Sequence, residues 1–379
     1  SIADAKLTKA IDSVAAALTA AKGAALVVCG SNDVNIQVIV NAINEAIGAN
    51  GTTINWAITS NYKNGIDADM AKLVGDMNSG AIGAVLIHGV NPAYSYSDSK
   101  KFKDGLLKVV GVSFNASMDE TTELCKYLLP AHHWLESWGD AEPKTGYYSL
   151  IQPTINPLFK TRPFQTNLIK WSAAAGSLVN DYETYFKTYW NAKLGSADLY
   201  EKALQDGVVE PTALPVGSAS FNSGKLTEAV AAIATIKGGA IEVIFYEKES
   251  IGNGSQANNP RLQEMPDPIT KVTWDNYAMI GPDLAKTLVN LDVLNLEGGK
   301  QSNYEVHPEK PVVKITVNGK SVELPVIVIP GINKNTIALA VGYGRESANK
   351  DETAVNIGKS ANGAGKNVYP LIGFNGTIL

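Results

Sequence analysis

The stretch AALVVCGSNDVNIQVIVNAINEAIG, residues 24–48, carries the reading of the fold. Its first half is a short apolar run, Ala24–Cys29, closed by Gly30, Ser31 and Asn32. A run of that length bounded by turn residues reads as a buried strand. Its second half sets Ile36, Ile39, Val40, Ile43 and Ile47 at helical spacing, with Gly48 as the stop. Strand, tight turn and helix in that order are the first part of a βαβ unit.

The same grammar continues outward. TTINWAI (52–58) predicts a second strand, and residues 67–80 predict a helix capped by Asp67 or Asp69 and stopped by Gly80. Residues 82–92 predict a third strand, 97–109 a helix and 110–117 a fourth strand. Strands that are apolar throughout, alternating with helices, imply a parallel sheet covered on both faces. Residues 160–238 turn helical and more polar. From 239 the chain predicts strands at 240–248, 312–330 and 336–344, with VNGK as a hairpin turn and a Pro-rich irregular piece at 258–282. The expected architecture is therefore α/β. A Rossmann-like parallel-sheet domain with a helical extension (160–238) fills 1–238, and a mostly β, barrel-like domain fills 239–379.

The 379 residues are too many for one ordinary domain. A net charge of −5 argues against nucleic acid as the main partner, since phosphate binding needs a basic face. No apolar run approaches the roughly 20 residues of a membrane span. Two cysteines, Cys29 and Cys125, cannot hold an iron–sulfur cluster in its usual four-thiolate form. They read as buried thiols. The first residue is Ser1, which reads as a processed chain or a piece of a longer polypeptide.

Candidate site residues follow from the strand ends, where ligands of open α/β sheets sit. One set is Gly30, Ser31 and Asn32. Another is Gly89, Asn91 and Pro92 in HGVNP (88–92). Neither turn carries the G-x-G-x-x-G pattern. NIGKSANGAGKNV (356–368) misses the phosphate-loop spacing and reads as a glycine-rich surface loop. LLPAHHWLESWGDAEPKTGYYSLIQP (128–153) concentrates two of the four histidines. On an extended chain the His132 and His133 rings point opposite ways. His133 and Glu136 lie three apart, but no second such pair exists to complete a metal site. Packing and hydrogen bonding is the reading for this loop. Arg345, in GYGR (342–345), suits an anionic ligand or a salt bridge, and both stay open.

Four passages in series resemble the molybdopterin oxidoreductases: residues 26–51, VLIHGVNPAYS (85–95), the segment 124–159, and 258–276 with LPVIVIPG and GYGR. More narrowly they resemble the molybdopterin-oxidoreductase-like region of the large iron–sulfur subunit of alternative complex III. The resemblance implies that 1–238 is the oxidoreductase-like region and 239–379 a molybdopterin-dinucleotide-binding-like domain. It implies a non-catalytic scaffold in a membrane-bound quinol-oxidising respiratory complex, with no catalytic centre of its own. Iron–sulfur clusters would sit in an adjacent ferredoxin-like domain, and heme c in a multi-heme cytochrome c partner. Quinone-binding integral membrane subunits would complete the assembly, on the outer (periplasmic) face of a bacterial cytoplasmic membrane. This chain would hold no cofactor and no molybdenum. Gly30, Ser31, Asn32, Gly89, Asn91, Pro92, His132, His133, Glu136 and Arg345 would line a vestigial cleft, filled by Trp134, Trp138, Tyr147 and Tyr148. The metal-ligating and cluster-binding segments would lie outside these residues. The alternative is a fragment of an active molybdopterin-dependent oxidoreductase, and a third reading is an unrelated nucleotide-binding enzyme.

Overall fold

The computed structural model describes residues 4–62, 64–173, 181–213, 215–236, 238–293, 310–347 and 357–373. Helices α1 (Ala5–Ala20), α2 (Val34–Ala46) and α3 (Asp67–Ser79) come first. Strand β1 (Ala84–Ile87), helices α4 (Pro92–Ser95) and α5 (Ser99–Leu106), and strands β2 (Val110–Ser113) and β3 (Tyr127–Leu128) follow. Next are β4 (Gly139–Lys144), β5 (Tyr147–Ile151), α6 (Phe164–Ala173), α7 (Tyr182–Leu194), α8 (Ala197–Asp206), β6 (Val208–Val209) and α9 (Leu226–Thr235). The last described elements are β7 (Glu242–Tyr246), α10 (Pro260–Glu264), β8 (Ala278–Ile280), α11 (Pro282–Val289), β9 (Val312–Val317), β10 (Lys320–Val328) and β11 (Thr336–Ala340).

Two compact units emerge, and each is assembled from separated stretches. Residues 1–67 and 131–236 form most of the first unit, and 68–130 with 237–376 form the second. Residues 68–130 group with the later part of the chain and not with 1–67.

In the second unit β1, β2 and β3 form a parallel sheet, with Ala84 opposite Val110 and Ile87 opposite Ser113. Helices α3 and α5 supply Val74, Met77, Phe102 and Leu106 to its core beside Val85 and Ile87. Gly105 permits that approach, because a Cβ there would lie 3.0 Å from the Met77 Cβ and 2.7 Å from the Asn78 amide. A second sheet has the order β7-β11-β8-β10-β9 and mixes parallel with antiparallel pairs. Its hairpin turn, Asn318-Gly319, has φ 51° and 78°, the positive values that the right-handed strand twist favours. Ile280, Leu324, Leu339 and Leu371 fill the core of this sheet.

The first unit holds the antiparallel sheet β4-β5-β6. One face of it packs on α7 and α8 through Leu150, Tyr182, Phe186, Trp190 and Tyr200. Trp190 is 1% exposed and donates its indole N–H to Asp140 at 2.7 Å, so its one polar atom is satisfied.

Several expectations need correction. Residues 24–29 are not a strand. The N–H and C=O of Val27 pair with the side-chain amide of Asn44, both at 2.9 Å, and the Ala25 carbonyl accepts from Thr53. An asparagine that is 2% exposed thus takes the place of a ladder neighbour. Val28 is 79% exposed, not buried. Residues 52–58 are turns, because the Thr52 and Ile54 amides both fold back onto the Ala49 carbonyl. Of the four expected strands, those at 82–92 and 110–117 remain as β1 and β2, and β3, which was not expected, makes the third strand of the parallel sheet. The later sheet is open, and no closed barrel forms among the described residues. The irregular piece 258–282 contains α10 and β8, and β8 lies in the middle of its sheet. Three apolar residues among prolines gave no period to read. Within the stretch 160–238 read as helical, α6 is seen to Ala173, and residues 174–180 lie outside the described residues.

Candidate functional site

The carboxyl ends of β1 and β2 are joined by a buried polar network. After β1 the chain turns at Gly89 (φ 69°), and Pro92 opens α4 with its preset φ. Asn91, just before it, aims its amide sideways. Its Oδ1 accepts from the Thr121 N–H at 3.1 Å and the Thr121 hydroxyl at 2.7 Å, and its Nδ2 donates to Glu120 Oε2 at 2.6 Å. Asn115, beyond β2, accepts from the Gly89 N–H at 2.7 Å and donates to the Val90 carbonyl at 3.1 Å and to Asp119 at 2.8 Å. Asp119 in turn accepts from the Thr121 and Thr122 amides. Side chains from the two loops lock each strand end to the other.

Arg345 closes the network from the far end of the chain. Its Nε and Nη2 donate to Glu120 at 2.8 Å and 2.7 Å, a two-pronged pair, and Nη1 donates to the Gly254 carbonyl at 2.9 Å. Arg345 and Glu120 are each 6% exposed. The guanidinium also lies 5.2 Å from the Tyr94 ring centre, and the Tyr94 hydroxyl donates to the Tyr343 carbonyl at 2.7 Å. Burial pushes the Glu120 carboxyl up. The hydrogen bonds and charge of Arg345, with help from Asn91, outweigh it and leave the group below the ordinary carboxylate value. Burial raises Asp119. Gly344 makes the approach possible: a Cβ there would lie 2.0 Å from the Asn367 amide nitrogen, and its φ is 67°. A cavity of about 280 Å³ lies beside the pair, lined by Tyr94, Ser99, Lys103, Glu120, Lys366 and Asn367 among others.

Of the sequence-derived candidates, Gly89, Asn91, Pro92 and Arg345 fall in this unit, and Asn91 meets Arg345 through Glu120. Glu120, Asp119 and Asn115 escaped sequence reasoning. They sit in a polar loop without period, and Glu120 finds its partner 225 residues away.

Gly30, Ser31, Asn32, His132, His133 and Glu136 fall in the first unit. Asp33 caps α2 by accepting from the Asn35 and Ile36 amides. Gln37 reaches back to the Cys29 and Ser31 carbonyls, which fixes the turn. Gly30 and Asn32 are exposed. His133 and Glu136 form a cap of a short helical turn. The His133 ring accepts from the Leu135 N–H, and the Glu136 carboxylate accepts from the His133 N–H at 3.0 Å and the Leu158 N–H at 2.9 Å. His132 Nδ1 sits 2.6 Å from the Thr161 hydroxyl and 3.9 Å from Glu136. Burial lowers the His132 pKa against the opposing pull of Glu136. The two amide bonds hold the Glu136 carboxyl below its ordinary value of 4.5. Among the described residues no group of three His, Cys, Asp or Glu side chains is placed to hold a metal ion. Trp138 and Tyr148 pack on the core as filler, whereas Trp134 is 61% exposed and fills nothing. Its backbone belongs to the helical turn, which aims the ring out over His133.

Glu136 sets one expectation for acid. Its folded pKa lies below the unfolded one, so its contribution is present above about 4.5 and is lost as pH falls further. Glu136→Gln is expected to flatten the fall in melting temperature between neutral pH and acid. Parallel acid titrations of variant and wild type would show it. Identical slopes would remove the role assigned to this cap.

No protein-family model matches the chain, and no curated protein matches it. Among solved structures it is similar to acetylene hydratase from Pelobacter acetylenicus, with a TM-score of 0.54 and 13% identity over 80% of this chain. The chain spans 43% of the length of that protein. At this identity the likeness concerns the fold.

Proposed function

We propose that this chain is a scaffold module with a molybdopterin-oxidoreductase-like fold and no catalytic centre of its own. It serves a membrane-bound quinol-oxidising electron-transfer complex of the alternative complex III type. The coarser part, a mixed α/β fold akin to that of a molybdopterin enzyme, has the support of the acetylene hydratase likeness. The observation that carries the finer part is the closed state of the Asn91–Glu120–Arg345 network. An anionic pterin–phosphate group needs free donors at the strand ends. Here each nitrogen of the Arg345 guanidinium already donates to Glu120 or Gly254, and Asn91 bonds Glu120 and Thr121. At the α2 N-terminus the Asp33 carboxylate already occupies the amides that would receive a phosphate, and its charge would repel one. These residues do not fit the cofactor. They fit a rigid support for redox centres held by neighbours: a ferredoxin-like iron–sulfur domain, a multi-heme cytochrome c and quinone-binding membrane subunits at the periplasmic face. No helix among the described residues is long and apolar enough to cross a membrane, so in this reading those subunits supply the anchorage.

The test is to purify the native protein from membranes with its companions and measure metals. The expected result is iron and heme in the assembly and molybdenum far below one atom per chain. Stoichiometric molybdenum would overturn the proposal in favour of an active molybdopterin oxidoreductase. Recovery without heme or iron–sulfur companions would overturn the complex assigned to it.

A further inference from the structure

The sheet β4-β5-β6 has two faces, and only one packs on the helices. Successive residues of a strand point to opposite faces, and residues directly opposite on neighbouring strands share one. Tyr148 and Val209 are opposite each other and pack on the Trp190 core. Tyr147, Ser149, Val208 and Glu210 therefore belong to the other face. Lys144 joins them, being opposite Tyr147. So does Ser60, whose short extended segment bridges to Lys144 on the outer side of β4. The Thr59 carbonyl accepts from the Thr145 N–H at 3.0 Å, and the Pro143 carbonyl accepts from the Asn61 N–H at 2.9 Å. The bulge in β4 between Ala141 and Lys144 sharpens the local bend.

A cavity of about 420 Å³ takes in Ile58, Ser60, Lys144, Tyr147, Val208 and Glu210, and also touches Tyr148 and Val209 from the core-packed side. That volume lies within the roughly 300–1,000 Å³ of small-molecule sites. Across the sheet it presents one row: cation, aromatic ring, anion. The Lys144 ammonium stands 3.7 Å from the centre of the Tyr147 ring, a cation–π contact that holds it beside the ring. Pairing of β5 with β6 ends at Val209, next to Glu210, which lines the same cavity as Tyr147. A Cβ added at Gly146 would lie 3.7 Å from Pro211, so the two segments stay adjacent there. Neither Lys144 nor Glu210 forms an ion pair among the described residues.

We infer that this face is a binding site for a small zwitterion with an apolar body, the class being an α-amino acid with a hydrophobic side chain. Lys144 takes the carboxylate and Glu210 the ammonium. Ile58, Val208 and the Tyr147 ring take the side chain. A simple anion would meet Glu210, and a simple cation would meet Lys144. Only a ligand with both charges satisfies the row. The site belongs to the first unit and the Glu120–Arg345 network to the second, and the inference is independent of the scaffold role.

The test is calorimetric titration of the whole protein with L-phenylalanine, 3-phenylpropionate, which lacks the ammonium, and phenethylamine, which lacks the carboxylate. Saturable binding of phenylalanine is expected, with both analogues about tenfold weaker, each lacking one charge-assisted contact. Lys144→Gln is expected to weaken phenylalanine about tenfold without weakening phenethylamine, and Glu210→Gln to weaken phenylalanine without weakening 3-phenylpropionate. Both positions are exposed, so the variants fold, and an unchanged circular dichroism spectrum checks it. Ser149→Phe, which fills the cavity, is expected to abolish binding. The inference fails if phenylalanine, leucine and tryptophan all show no saturable binding at millimolar concentration, or if either analogue binds as tightly as the amino acid.

Discussion

Arg345→Leu is expected to destabilise the second unit by about 3–5 kcal/mol, the usual cost of leaving one half of a buried ion pair without its partner. Glu120 would remain 6% exposed with a carboxylate that Asn91 alone cannot neutralise. Glu120→Leu is expected to cost a similar amount, for the mirrored reason. The double variant should cost well below the sum, because no buried charge is then left behind. Urea unfolding followed by circular dichroism would report this as a lower midpoint at unchanged slope. A single-variant loss under about 1 kcal/mol would place the pair in water, as for surface ion pairs, and would remove the argument that the network is closed.

Lys248 should produce the largest pH effect. It is 4% exposed, donates to the Asp275 carbonyl at 2.8 Å and the Tyr343 hydroxyl at 3.3 Å, and sits 4.4 Å from the Tyr277 ring centre. Burial lowers its pKa from 10.5 to about 8, against the opposing pull of the Asp267 and Asp275 carboxylates. The folded value lies below the unfolded one, so between them the unfolded chain binds more protons. Wild-type stability should therefore rise with pH across that interval, and the full penalty should be present below about 8. The interval corresponds to a gain on the order of 3 kcal/mol. Buried Tyr246, Tyr277 and Tyr343 have raised pKa values, so they oppose the gain above about pH 10 and narrow the useful window. Comparison with Lys248→Met cancels their share. The difference in unfolding free energy between the two proteins should shift toward the wild type from pH 8 to pH 10. A constant difference would mean that Lys248 titrates as if in water.

Helices were legible wherever apolar spacing and a cap agreed. Residues 67–80 and 97–109 were found as α3 and α5, and Gly80 adopts the positive φ (77°) that a helix stop calls for. The hairpin at Asn318-Gly319 was legible for the same reason, since only a few residue types tolerate its turn. Strands fared less well. Ala24–Cys29 and Ala84–Ile87 look alike as apolar runs, yet only the second found a neighbouring strand, at Val110–Ser113. A strand is completed by hydrogen bonds to another segment, and no local pattern names that segment. In Ala24–Cys29 the Asn44 side chain took the place of one.

The candidate site divides in the same way. The turn chemistry of Gly89 and Pro92, and the two-donor geometry of Arg345, were readable because they belong to single residues. Glu120 was not readable, because its role depends on a partner 225 positions later and on the burial that makes the pair matter. The amino-acid sequence by itself determined the α/β class, the helices that became α2, α3 and α5, and the Asn318-Gly319 turn, all of which follow from backbone preference and spacing within a few residues. Only the tertiary structure decided which apolar runs became strands, which separated stretches share a unit and which charges meet. Those outcomes rest on desolvation and on hydrogen bonds between residues far apart in the chain.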